Sequence, residues 1–196
     1  MSILAERPLL QPVPRLPGDL AMWFFILAEL TVFGLLLLAF AGAQAMHPES
    51  FQRGRAELDS RWGVLLTASL LTSGLFAALA VHGVRRGRSR LGALCLLAAL
   101  LTACGYVGLK LHEYAALSGR GLDIEHDTFF TLYWSLTGFH FLHVLLGMLI
   151  LAAMALRCWR GRYGPGNCSG IEAGVLYWHM VDLVWVLLFP LVYLLH

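Results

Sequence analysis

The chain has 196 residues, of which 59% are hydrophobic and only 13% charged. Soluble domains carry about 25% charged residues, so this balance excludes an ordinary soluble enzyme and points to an integral membrane protein. The net charge of +2 is small, and no inter-span segment is large enough to present the basic, aromatic-rich patch that nucleic-acid binding needs.

Residues 1–17 contain Pro8, Pro12, Pro14 and Pro17. Proline lacks an N–H and disfavours helix in the residue before it, so this segment is expected to form an extended cytoplasmic arm, followed by a bundle over 18–196. Asp19 is placed to cap the first helix. A helix crossing the hydrocarbon core takes about 20 apolar residues, and five stretches reach or approach that length: Leu20 to Ala43, Gly63 to Val84, Leu91 to Leu109, Thr128 to Leu156 and Ile171 to Leu195. The first is too long for a signal-peptide core and lacks a small-residue cleavage site after a basic start. The reading is an all-α, polytopic bundle of five transmembrane helices, with no segment left to build an independent soluble catalytic domain.

The first span carries one charged group, Glu29, about nine residues or roughly 13 Å from its start. In the second, Thr67, Ser69, Thr72, Ser73, Gly74, Ala77 and Ala78 provide small residues that let helices approach closely. The third has Cys104, Gly108 and His112 at four-residue spacing, and Glu113-Tyr114 is expected beyond it at the outer surface. The fourth carries His140 and His143, with Gly147 four residues later. In the fifth, Glu172, His179 and Asp182 are separated by seven and three residues, which puts them on one side of a helix that must face protein. Trp62, Trp159 and Tyr163 sit at span ends and suit an interfacial belt, whereas Trp178 and Trp185, seven residues apart, read as packing anchors.

Basic residues set the expected orientation. Arg7, Arg15, Arg85, Arg86, Arg88, Arg90, Arg157, Arg160 and Arg162 fall on one side, and Arg53, Arg55, Arg61, Lys110 and Arg120 on the other, where seven acids also lie. The positive-inside rule then puts the N-terminus in the cytoplasm and His196 near the periplasmic face. The four cysteines, Cys95, Cys104, Cys158 and Cys168, form no Cys-x-x-Cys pair and read as reduced apolar fillers rather than metal ligands.

Glu29, His140, His143, His179 and Asp182 fall in one central layer, and three readings compete for it. Imidazoles and carboxylates can ligate a metal or haem, as in an autonomous membrane cytochrome passing electrons from quinol. However, His140 and His143 lie on one helix face and cannot both ligate one haem axially. Carboxylate–histidine chains also serve proton-coupled transporters, with Glu29 and Asp182 as carriers, although the inverted repeats and mid-membrane helix breaks of many transporters are not visible. The third reading is structural: these groups hydrogen-bond between helices and fix their packing. Glu29 has no partner on its own helix, so it is either protonated or paired with a histidine from another helix.

Several motifs, in order, resemble subunit III of the haem-copper oxidase superfamily. Trp23-Phe24-Phe25-Ile26-Leu27-Ala28-Glu29 resembles Trp-x-Phe-Leu-x-Ser-Glu, with Ala28 in place of serine. Lys110-Leu111-His112-Glu113-Tyr114 resembles Gln-x-x-Glu-Tyr, with lysine in place of glutamine. Thr137-Gly138-Phe139-His140-Phe141-Leu142-His143-Val144 is similar to Thr-Gly-Phe-His-Gly-Leu-His-Val, and Glu172-Ala173 with Tyr177-Trp178-His179-Met180-Val181-Asp182 repeats the closing signature. Compared with the seven-helix form, the chain lacks two N-terminal helices and the lipid-holding cleft they help form. Pro17-Gly18-Asp19 and Asp127-Thr128-Phe129-Phe130 look most like the accessory-subunit branch of nitric oxide reductases.

The resemblance implies a non-catalytic subunit of a respiratory oxidoreductase in the bacterial inner membrane. It would hold no metal or cofactor itself, with haem, and copper or non-haem iron, in a partner catalytic subunit I. Membrane lipids would be its other partners. Glu29 matches the family's buried carboxyl, His140, His143, Glu172, His179 and Asp182 become an inter-helix polar network, and Glu113-Tyr114 an outer-face motif.

Overall fold

The structure, a computed structural model, describes residues 20–194. The proline-rich arm, the Asp19 cap and His196 lie outside the described residues. Six helices follow one another: α1 (Leu20–Met46), α2 (Pro48–Ala56), α3 (Ser60–Arg85), α4 (Ser89–Ser118), α5 (Thr128–Trp159) and α6 (Ser169–Tyr193). All but α2 are long and apolar enough to cross a membrane. The shortest of these five has 25 residues, and at about 1.5 Å per residue it exceeds a core about 30 Å thick. Among the described residues there is no strand, only an isolated bridge between Gly164 and Asn167.

Two elements differ from the sequence expectation. The third span does not stop at Leu109: its helix runs on to Ser118 and takes in Lys110, Glu113 and Tyr114. The nine-residue helix α2 was not anticipated, because its composition is polar overall and only Phe51, Gly54 and Arg55 are buried.

The helix ends follow local chemistry. α3, α4 and α5 each close on a glycine with positive φ: Gly87 at 76°, Gly121 at 72° and Gly161 at 67°. In each case the residue after the glycine donates its N–H five residues back: Arg88 to Gly83, Leu122 to Leu117 and Arg162 to Arg157. This is the Schellman ending, which satisfies carbonyls the helix would otherwise orphan. At the opposite ends, Asp59 Oδ1 accepts from Arg61 N–H and Asp127 Oδ1 from Phe130 N–H, both at 2.9 Å.

Helices α3 and α4 form the most extensive pairing. Ser73 Oγ donates to Ala99 O at 2.8 Å and Ser69 Oγ to Thr102 O at 2.6 Å, so the small residues of the second span do bring backbones together. Helix α6 is the most enclosed span, packed on α1, α3 and α5, and α1 is the least enclosed. Trp178 and Trp185 are fully buried and anchor the centre.

Helix α2 lies across one end of the bundle, with the Phe51 ring 5.0 Å from that of Phe40 and 5.3 Å from that of Phe129. Its Arg55 is buried and donates to Val192 O at 3.2 Å, Leu191 O at 3.0 Å and Gln44 Oε1 at 2.7 Å. Burial lowers the Arg55 pKa from its ordinary value, yet a guanidinium stays charged and suits carbonyls at a helix C-terminus. Replacing Arg55 with Met is expected to cost about 2 kcal/mol, since hydrogen bonds to charged groups are worth about 1.5–3 kcal/mol. An unchanged midpoint in a denaturing-detergent titration of Arg55→Met would refute this cap.

Candidate functional site

The groups expected to form one central network separate into distinct contacts. Glu29 on α1 meets His143 on α5, with Oε2 3.0 Å from Nε2. His143 Nδ1 lies 2.8 Å from the Phe139 carbonyl, which can only accept, so Nδ1 carries a proton. Two charge arrangements then fit. A neutral imidazole accepts at Nε2 from a protonated Glu29, or an imidazolium donates to a carboxylate. Both are neutral overall, which lets a carboxyl sit within a span. Glu29→Gln is expected to preserve the bundle, because an amide N–H can replace the acid O–H toward Nε2. The folded fraction of that variant across a denaturing-detergent titration checks this, and loss of the folded bundle would argue for an ionised Glu29.

His140, three residues earlier on α5, is fully buried, with neither ring nitrogen hydrogen-bonded. Its ring packs 5.3 Å from Trp185 and 6.2 Å from both Tyr106 and Phe33. The buried Tyr106 hydroxyl likewise has no partner. Trp185 Nε1 donates to Thr67 Oγ1 at 2.9 Å, tying α6 to α3.

His179 and Asp182 pair within α6 itself, Nδ1 to Oδ2 at 3.1 Å. The His179 side chain is 41% exposed, so within this chain protein covers only part of the helix side that was expected to face protein. Asp182 stands against Gly74 of α3, where a Cβ would collide with the carboxylate. Glu172 does not join this pair. It binds Arg85 at 2.9 Å, bridging α6 to α3 at the end of the bundle marked by the α3–α4 turn. Seven residues along a helix is about 10 Å, too far from His179 for one contact network.

The outer-face motif is also placed differently. Glu113 is buried, and Tyr114 is partly buried with its hydroxyl on Thr137 Oγ1 at 2.9 Å. Lys110, one of the five basic residues assigned to the poorer side of the membrane, is fully buried. Its Nζ donates to Glu113 Oε2 at 2.6 Å and to the hydroxyls of Tyr133 and Tyr193, each at 3.1 Å. Tyr193 in turn donates to Glu113 Oε1 at 2.7 Å. The ammonium also sits 4.8 Å from the Tyr114 ring centre and 5.4 Å from that of Trp185. This cluster joins α4, α5 and α6. The signal for it was the Lys–Glu pair at i,i+3, which becomes an intrahelical pair once α4 extends past Leu109.

Tyr163, expected in the interfacial belt, is buried against Gly170, whereas Trp159 is exposed. The four cysteines are free thiols. Among the described residues, no group of three or more His, Cys, Asp or Glu stands ready to hold a metal ion. The chemistry these contacts can perform is to neutralise polar groups and lock one helix to another.

An all-helical, multi-pass membrane bundle joined by buried polar pairs is the class that these observations define. The sequence profile of cytochrome c oxidase subunit III matches residues 18–196, and the chain belongs to that family. It is 27% identical over 180 residues to quinol oxidase subunit 3 of Bacillus subtilis, covering 89% of this chain and 85% of that one. It is 25% identical over 177 residues to the probable quinol oxidase subunit 3 of Staphylococcus aureus, covering 90% and 88%. The chain is also 31% identical over 189 residues to the haem-copper oxidase subunit I+III of Aeropyrum pernix, covering 93% of this chain but only 23% of that longer protein.

Proposed function

We propose that this chain is the non-catalytic third subunit of a haem-copper respiratory oxidase in a bacterial inner membrane, packed beside a catalytic subunit I that carries the haem and copper. It supports the stability and sustained turnover of that subunit and proton entry into it. The observation that carries the reading is the combination of a family match across nearly the whole chain with polar groups engaged in helix-to-helix contacts. The A. pernix relative, whose name joins subunits I and III, supports the partner. The B. subtilis and S. aureus names favour a quinol oxidase. The face offered to subunit I is drawn from α1 and α5, since α3 and α4 spend their small residues on each other and α1 leaves Phe24, Leu27, Leu35 and Leu38 exposed.

A second reading makes the partner a nitric oxide reductase, favoured by the resemblance of the segment opening at Pro17-Gly18-Asp19 and of Asp127-Thr128-Phe129-Phe130 to that branch's accessory subunits. Purification of the tagged chain from native membranes in mild detergent, with subunit identification and assays of dioxygen and nitric oxide consumption, separates the two. A partner without haem, or no partner at all, would sink both.

A further inference from the structure

Arg55 carries a charge that the described residues do not balance. It is only 6% exposed, and its three acceptors, the Val192 and Leu191 carbonyls and the Gln44 amide oxygen, are all neutral. Among the described residues it makes no ion pair. The C-terminus of α6 offers about half a negative charge, so about half a positive charge is left over in a setting where buried charges are ordinarily paired. The three bonds use only Nε and Nη2. Both N–H groups of Nη1 lack an acceptor among the described residues, and Nη1 is not one of the fully enclosed atoms without a partner, which belong to Tyr106, His140 and Trp178. It therefore meets open space.

Arg55 lines a cavity of about 660 Å³ where the end of α1, the helix α2 and the last turn of α6 come together. Gln52 adds a second polar group, while Ala41, Ala45 and Leu191 form an apolar wall. Leu38, Ala41 and Ala45 fall at i, i+3 and i+7, a single face of α1, and all three are exposed. Leu38 belongs to the face offered above to the catalytic subunit. A chain seated along α1 therefore runs, at the end of that helix, into a space that the two alanines keep open. A lone small anion would answer the guanidinium but leave the apolar wall uncovered. A protein segment with a carboxylate answers both.

From this we infer that the cavity is a socket for a segment of the catalytic partner subunit bearing an Asp or Glu, whose carboxylate accepts from Arg55 Nη1. The inference rests on the subunit reading given above and deepens it, adding a charged contact at one end of the α1 face. Arginine suits the role because it stays charged when buried, and its remaining donors hold the guanidinium in place before the partner arrives.

The test uses the tagged full chain purified with its accompanying subunits from native membranes in mild detergent. In Arg55→Lys, a water-soluble carbodiimide is expected to join the introduced amine to a carboxyl of the haem-bearing subunit. The amide C–N bond forms, the water lost converts the carbodiimide to a urea, and peptide mass spectrometry identifies the acid. Arg55→Gln is expected to release that subunit about thirty-fold faster or more, the scale for truncating one partner of a buried interfacial charge pair. Because Arg55 also caps α6, Ala45→Trp is the second variant. It fills the cavity from an exposed position on α1 and should speed release while leaving the chain's own folded fraction across a denaturing-detergent titration unchanged. An amide to a carboxyl of this chain, no amide in an intact complex, unchanged release in both variants, or a phosphate-bearing molecule held by Arg55 would each overturn the socket alone. If the unaltered chain brings down no haem-bearing subunit, the functional reading fails and the socket fails with it.

Discussion

Substituting Lys110 with Met is expected to destabilise the bundle by about 3–5 kcal/mol, the usual cost of leaving one member of a buried ion pair without its partner. The ammonium is fully enclosed and serves three acceptors at once, the Glu113 carboxylate and the Tyr133 and Tyr193 hydroxyls. Methionine matches its length but leaves Glu113 Oε2 facing hydrocarbon and aromatic rings. Lys110→Gln is expected to cost much less, because its amide can still donate to Glu113, and glutamine is the residue in the family motif that this segment resembles. The fraction of folded protein across a denaturing-detergent titration, together with abundance in membranes, reads the difference. A Lys110→Met protein as stable as the parent would show that the cluster contributes nothing to the fold.

The second large effect falls at Gly147. A Cβ there would lie 2.6 Å from Trp178 Cε3 and 2.8 Å from Cζ3, well inside contact distance. Trp178 is completely buried and has no room to swing aside. Gly147→Ala must therefore push α5 away from α6, at about 1–3 kcal/mol for overpacking a tight core, and Gly147→Leu is expected to prevent the two helices from closing. Gly138 on the same helix supplies the control, since nothing lies within 4 Å of its would-be Cβ. Gly138→Ala should be neutral or stabilising by up to ~1 kcal/mol through helix propensity. If the two alanine variants prove equally stable, the α5–α6 seam is not tightly packed at Gly147.

The contrast between those two glycines shows what a sequence can and cannot display. Both sit in an apolar run with no breaker nearby, and only the neighbouring helix tells them apart. The spans themselves were legible because length and hydropathy are local properties. So were the helix-pairing role of Ser69 and Ser73 and the anchoring role of Trp178 and Trp185, which follow from residue size and spacing. The end of α4 was not. Lys110 and Glu113 look like the start of a loop to any hydropathy window, and only their mutual neutralisation, completed by tyrosines 23 and 83 residues further on, lets the helix continue. Glu172 reaches another helix, but through Arg85 rather than beside its neighbours in phase. Helical phase put it with His179 and Asp182, but axial distance and Arg85 took it elsewhere. For Glu29, the sequence required a protonated state or a distant histidine, and His143 rather than His140 supplies the contact because its ring faces α1.

The distance along the chain between Glu29 and His143 bears on how the protein is made. The two residues are 114 positions apart, and at about 5–20 residues per second a ribosome takes roughly 6 to 23 s to cover that interval. Throughout that time α1 has been synthesised and its acid lacks the imidazole that it meets in the finished fold. Lys110 and Glu113, by contrast, emerge within a second of each other and can neutralise one another as α4 enters the bilayer. Insertion and assembly are thus separate events for the first helix: it must wait, with its carboxyl protonated or sheltered by the insertion machinery, until the fifth helix arrives to dock it.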